Sequence, residues 1–241
     1  MQIYFKTLLF WGAALLFNLT TYVQYPQNVT DSGLAMVELV AESDSVFGYG
    51  IDISHYNPEP DWRALDVDFV IMKASEGTGY VDPTFASRRE KCRNAGIPVG
   101  AYHYFLGKED GKKEFNNFFR TVGMQIDLRP AIDLERIPKG VAKKDFQRNL
   151  DAFIKAVYDT YGVMPIIYSK DRFYREIVEE VIEAKWKEKG VDIWIGDMDR
   201  GYGSFGYRPA IHQKEIRRIK GIKGDVDFNE LHAPLQKLLL P

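Results

Sequence analysis

The sequence predicts an α/β protein, a single modified β/α barrel of about eight strands in which the later strands lack crossover helices. From Val46 onward, short apolar runs rich in β-branched and aromatic residues alternate with longer amphipathic stretches. That alternation is the pattern of βαβ units around a parallel sheet. Eight such runs follow one another, enough to close a barrel. The segments between the last of them are too short for a crossover helix, which with its loops takes a dozen residues or more.

In chain order the strand runs are Phe47 to Ile53, Phe69 to Ala74, Pro98 to Phe105, Pro130 to Leu134 and Pro165 to Tyr168. Val191 to Ile195, Arg208 to Gln213 and Val226 to Phe228 follow. Helical stretches lie between the early ones. One runs from Pro83 to Ala95. In another, Phe146, Leu150, Phe153, Val157 and Tyr161 recur at helical spacing, and Phe173, Ile177, Val181 and Trp186 mark a third. Gly96 and Gly162 supply the helix stops. Only loop remains between Asp197 and Tyr207, and a basic, glycine-punctuated stretch between Glu215 and Asp225. The barrel therefore ends with strands joined by loops, antiparallel pairing being open to some of them. An open doubly wound sheet is the alternative fold.

The 241 residues are 45% hydrophobic and 27% charged, so the chain can bury a core without staples. A net charge of -2 gives no basic excess for nucleic acid. The single cysteine, Cys92, allows neither an intrachain disulfide nor a cysteine metal cluster, and its place on a helix marks it as a core thiol. At the amino terminus Lys6 precedes an apolar run from Leu8 to Phe17. Residues 1–22 read as a signal peptide or an N-terminal membrane anchor. The run is shorter than the ~20 apolar residues of a comfortable membrane span. Residues 23–46 read as a linker and 47–241 as the barrel. Asn18 and Asn28 begin glycosylation sequons.

Active sites of β/α barrels lie at the carboxyl ends of the strands. There this sequence places mostly acids: Asp52, Glu76, Asp133, Glu135, Asp197, Asp225 and Asp227. The triplet Asp133-Leu134-Glu135 is the most informative. Alternate residues of a strand share a face, which puts these carboxylates about 6–7 Å apart. Like charges so close and half shielded push one carboxyl toward keeping its proton. Glycoside hydrolysis needs that division of labour, one group protonating the leaving oxygen and the other meeting the developing cation. The plainer reading is a pair of strand-end acids in salt bridges with Arg129 or Arg136. Asp52 and Asp227, on strands that become neighbours at closure, favour the functional one. Aromatic faces suit the apolar faces of sugar rings, and Tyr102, Tyr168 and Trp194 are the candidates, with Trp62 and Trp186 left to packing. His55 and His103 lie near the acids, where together they could hold a metal. No His-x-His or His-Glu-x-x-His spacing supports one. His212 and His232 stand in no motif.

Seven motifs occur in order: Gly50-Ile-Asp-Ile-Ser-His55, Phe69-Val-Ile-Met-Lys-Ala-Ser-Glu-Gly77, Gly96-Ile-Pro-Val-Gly-Ala-Tyr-His-Tyr-Phe105, Ala131-Ile-Asp-Leu-Glu135, Pro165-Ile-Ile-Tyr-Ser169, Asp192-Ile-Trp-Ile-Gly196 and Gly224-Asp-Val-Asp-Phe-Asn229. Together they resemble glycoside hydrolase family 25, the lysozymes that act as N-acetylmuramidases. The resemblance implies a shortened β/α barrel and cleavage of the β-1,4 bond between N-acetylmuramic acid and N-acetylglucosamine. Glu135 would be the general acid, and Asp133 its partner, as nucleophile or by orienting the substrate's acetamido group. Asp52, Asp227, Tyr102, Tyr168, Trp194, His103 and Gln213 would contact substrate. The implied partner is the glycan strand of peptidoglycan, with no cofactor or metal. The amino-terminal segment points to export, either as a cleaved signal or as a membrane tether, the charge gives no nucleic-acid partner, and a monomer is the default for an enzyme on a large insoluble polymer. Gly196, Met198 and His212 depart from the family's usual residues at the cleft wall. The competing readings are a metal-dependent polysaccharide deacetylase or phosphodiesterase, a non-catalytic glycan-binding barrel, and an acid-pair enzyme for chitin-like polymer.

Overall fold

The structure, a computed structural model, describes residues 45–241. The readings made for the signal or anchor segment, for nearly all of the linker and for both sequons lie outside those residues. Nine strands form: β1 Gly48–Ile53, β2 Phe69–Glu76, β3 Tyr80–Val81, β4 Val99–Tyr104, β5 Ala131–Leu134, β6 Ile166–Ser169, β7 Asp192–Ile195, β8 Ile211–Arg218 and β9 Asp225–Leu231. Eight of them close a ring in the order β1-β2-β4-β5-β6-β7-β8-β9, and β3 folds back onto the end of β2. Neighbours from β1 round to β8 are parallel, while β9 runs antiparallel to both β8 and β1. All eight strand runs read from sequence are present, and the loop-joined ending comes out as an antiparallel hairpin. Among the described residues no helix is long and apolar enough to cross a membrane.

The principal helices are α1 Phe85–Asn94, α2 Gly111–Val122 and α3 Lys143–Tyr161. After them come α4 Asp171–Phe173, a π-helical turn Tyr174–Val178, α5 Glu179–Lys185 and the short α6 Leu235–Leu238. The sequence reading did not name α2, although Asp110 caps it by accepting from Lys112 N at 2.7 Å. The apolar face of α3 buries Phe146, Leu150, Phe153, Val157 and Tyr161, and the helix ends at Gly162, left-handed at φ 72°. Phe153 meets Phe105 and Phe115 edge to face, both at 5.7 Å. Each such aromatic contributes about 1.5–3 kcal/mol through burial.

Alternation along the strands creates two cores. Ile51, Val70, Met72, Ile132 and Ile167 point outward and meet the helices. Phe69, Ile71, Ala131, Ile166, Ile211 and Leu231 point inward and fill the barrel. Leu238 of α6 joins the inner core, and its carbonyl accepts from Arg129 N, next to the start of β5. The amino-terminal end of the ring is thereby plugged. Arg129 pairs there with Asp192, so it is no partner for Asp133 or Glu135. Cys92 is buried, and burial pushes its thiol up to about 12, as suits a core residue. Trp62 packs into the outer core and Trp186 against it.

Candidate active site

The carboxyl-terminal end of the ring stays open as a cleft of about 530 Å³. Asp52, Tyr102, Asp133, Glu135, Tyr168, Trp194, Gln213 and Asp227 all line it. All but Glu135 sit on strands and follow from strand periodicity. Ala131 and Asp133 share the inner face of β5, as do Ile211 and Gln213 on β8 and Asp227, Asn229 and Leu231 on β9.

Closure of the ring sets the electrostatics. Asp52 and Asp227 are register partners across the β1–β9 seam, and like charges directly opposite repel. Burial, and then the facing Asp227, push Asp52 up to about 7. Burial also raises Asp227. Two side-chain amides hold Asp52 against this. Gln213 Nε2 donates to its Oδ2 at 3.0 Å and Asn229 Nδ2 to the same oxygen at 2.8 Å. The amides are oriented in turn, because Tyr168 Oη donates to Gln213 Oε1 at 2.9 Å and Trp194 Nε1 to Asn229 Oδ1 at 2.7 Å. With both donors on Oδ2, a proton held by Asp52 belongs on Oδ1.

Asp133 is 7% exposed, and its Oδ1 is buried without a hydrogen-bond partner. Burial, then Glu135 and Asp52, push its carboxyl well above the usual range, with Lys73 pulling the other way. Asp133 is thus a carboxyl held back from ionising. Glu135 lies one residue past β5, exposed at the rim, where Tyr104 Oη donates to its Oε2 at 3.3 Å.

Other expectations are corrected. His103 is not in the cleft. It follows Tyr102 on β4, so it points to the opposite face and lies fully buried beneath α2. There Ser75 Oγ contacts its Nδ1 at 2.8 Å and Glu114 Oε2 its Nε2 at 3.1 Å. His55 is likewise engaged elsewhere, 2.9 Å from Asp82 and 3.1 Å from Tyr80. Neither histidine joins the acids, and the metal constellation weighed from sequence does not assemble. Tyr168 and Trp194 line the cleft but are 8% and 2% exposed, floor rather than platform. Lys170, Arg200 and Ile216 are lining residues the sequence reading did not single out. Lys170 and Arg200 stand beyond strand ends, and Ile216 follows the register irregularity between Gln213 and Glu215 in β8, so simple periodicity reports on none of them. Gly196 is required by its neighbour, since a Cβ there would come within 2.4 Å of the Tyr168 hydroxyl.

The sequence model of the family described as glycosyl hydrolases family 25 matches residues 51–204. Lysozyme M1 of Streptomyces globisporus is 35% identical over 226 residues, covering 83% of this chain and 73% of that protein. The autolytic lysozyme of Clostridium acetobutylicum is 28% identical over 192 residues, covering 75% of this chain and 55% of that protein. Among solved structures, a family 25 glycosyl hydrolase from Bacillus anthracis superposes with a TM-score of 0.69 at 24% identity, covering 80% of this chain and 92% of the other. That likeness supports the closed mixed barrel.

Proposed function

The chain belongs to family 25 of the glycosyl hydrolases, and from that membership we propose a muramidase that hydrolyses the β-1,4 bond between N-acetylmuramic acid and N-acetylglucosamine in peptidoglycan. The observation that carries the reading is the gathering of Asp52, Asp133, Glu135 and Asp227 in one cleft, with Asp133 and Asp52 both held back from ionising. Glu135 is the general acid in this reading. Its carboxyl stands at the exposed rim, within reach of a glycosidic oxygen lying in the cleft. The proton passes to the leaving oxygen as the glycosidic C–O bond breaks, and water supplies the hydroxyl that finishes on the muramic anomeric carbon. Asp133, which lines the cleft, meets the sugar at or beside that carbon. Asp52 and Asp227 tune the acids and hold substrate together with Tyr102, Tyr168, Trp194 and Gln213.

A second assignment has a specific observation behind it: Asp133 is the carboxyl pushed well up, which favours Asp133 itself as the proton donor. The same proposal includes export and action as a monomer, with residues 1–22 as a signal peptide or a membrane anchor. Digestion of purified peptidoglycan, with products sized by mass spectrometry, tests the function. New muramic acid reducing ends from the native chain, absent with Glu135→Gln, support it. Reducing ends retained by Glu135→Gln and lost by Asp133→Asn move the acid to Asp133. No new ends from the native chain sink the muramidase reading.

A further inference from the structure

Every second side chain of a barrel strand faces the outer wall. His103 on that wall has both ring nitrogens occupied. His212, the residue before Gln213, is also outward and fully buried, yet it is served on one side only. Its Nε2 lies 3.1 Å from the carbonyl oxygen of Asp197, and its Nδ1 is buried with no hydrogen-bond partner. Across the β8–β9 ladder His212 is in register with Glu230. Two residues further on, the His232 side chain is 2% exposed and lies close to that of Glu230. His232 Nδ1 lies 3.2 Å from the carbonyl oxygen of Ser45. Its Nε2 is buried, makes no hydrogen bond, and stands 3.5 Å from Glu230 Oε2.

A carbonyl oxygen only accepts, which fixes both tautomers. His212 carries its proton on Nε2 and His232 on Nδ1, so Nδ1 of the first and Nε2 of the second present bare lone pairs. With a Glu230 carboxylate oxygen these donor atoms all lie within 4.8 Å of one another. Three lone-pair donors with no proton between them make a pocket that a cation completes. The rings are also held in place. Tyr202 stacks on His232 at 3.7 Å, and Phe205 meets His212 edge-on at 5.4 Å.

We propose that His212, Glu230 and His232 bind one divalent transition-metal ion, zinc fitting best, on the outer wall of the barrel and apart from the cleft. Two imidazoles and one carboxylate suit zinc and its neighbours, whereas calcium and magnesium prefer oxygen ligands. Tetrahedral zinc with bonds of about 2.0–2.1 Å sets its donors about 3.3 Å apart, so donors within 4.8 Å of one another draw in around the ion, Glu230 moving most because its side chain is 24% exposed and the rings are held. The carbonyls of Asp197 and Ser45 act as the outer partners that fix ring tautomer and direction. The ion ties β8 and β9 to the 197–207 loop, of which residues 197–200 wall the cleft. It touches no reacting atom, and its role is to stiffen that wall.

The test titrates zinc chloride into the tag-free full chain, stripped with a chelator, in competition with a chromogenic zinc indicator. One zinc per chain is expected, with Tm rising by about 5–10 °C at zinc a hundred times its Kd. Cobalt in place of zinc should show the visible d–d absorption of a low-coordinate imidazole site. Loss of an outer partner alone costs 10–100-fold in metal affinity, so Glu230→Gln and His232→Gln should each lose at least about a hundredfold and the cobalt band. Should His232→Gln not fold, Glu230→Gln decides, being a conservative change at a side chain 24% exposed. Asp133→Asn should keep the zinc. No stoichiometric binding by the native chain, unchanged affinity in Glu230→Gln, or loss of the zinc in Asp133→Asn each overturns the proposal.

Discussion

The ring has two arcs built on different plans. From β1 round to β7 the strands are parallel, and helices cover their outer faces with interlocked aromatics such as Phe105, Phe146 and Phe153. From β7 back to β1 the chain makes a loop and an antiparallel hairpin instead. The helical arc delivers Asp133 and Glu135 on a rigid support. The hairpin arc delivers Asp227, Gln213 and Asn229, which surround Asp52 and set its charge. One arc supplies the proposed reacting groups and the other the surroundings of Asp52, so the two should respond differently to substitution.

The largest effect is expected on the helical arc. Glu135→Gln should lower kcat by about 10²–10⁴-fold, the usual contribution of a general acid, and leave Tm unchanged because the side chain is exposed. Equal loss of activity and stability would merge the two roles that the comparison separates. Phe153→Ala empties the contact between α3 and the barrel and should cost about 3–5 kcal/mol in urea unfolding. On the hairpin arc the sign reverses. A carboxyl whose affinity for its proton is higher folded than unfolded gives stability that is complete in acid and lost as pH rises through its folded value. For Asp52 that window runs from the ordinary carboxylate range up to about 7. Asp52→Asn should therefore stabilise the chain by roughly 2–4 kcal/mol at pH 8 and much less at pH 4. A destabilised variant at pH 8 would mean that the amide clamp outweighs the repulsion from Asp227. Gly196→Ala should cost about 1–3 kcal/mol by overpacking and break the Tyr168 to Gln213 hydrogen bond, so it should also shift the pH profile of activity. The smallest change belongs to the solvated face of α3. Lys155→Ala removes an exposed pair with Asp159 and should alter stability by less than about 0.5 kcal/mol.

Much of this was legible in the sequence because strands announce themselves through β-branched runs and their acids sit at predictable ends. The eight runs, the loop-joined ending and the meeting of Asp52 with Asp227 were all readable. The strand-end position of His103 suggests the cleft, but the period of two along β4 turns it away. Tyr102 faces inward, so its neighbour faces out. The amide clamp was hidden for another reason. Its bonds join Asp52 to partners 161 and 177 residues away, and no local pattern encodes a donor at that range. The outward His212 and His232 carried no motif, because their ligand geometry arises from strand pairing rather than from spacing along the chain.

The seam between β1 and β9 also sets an order of events during synthesis. Asp52 is made early, while Asn229, which holds it, follows 177 residues later. The seven other strands of the ring are thus made before the last wall of the cleft exists. Until β9 inserts between β1 and β8, Asp52 lacks both its opposing charge and part of its clamp. The finished pocket is an outcome of ring closure, and a translation product that stops before β9 carries Asp133 and Glu135 beside an Asp52 that has neither Asp227 opposite it nor Asn229 to hold it.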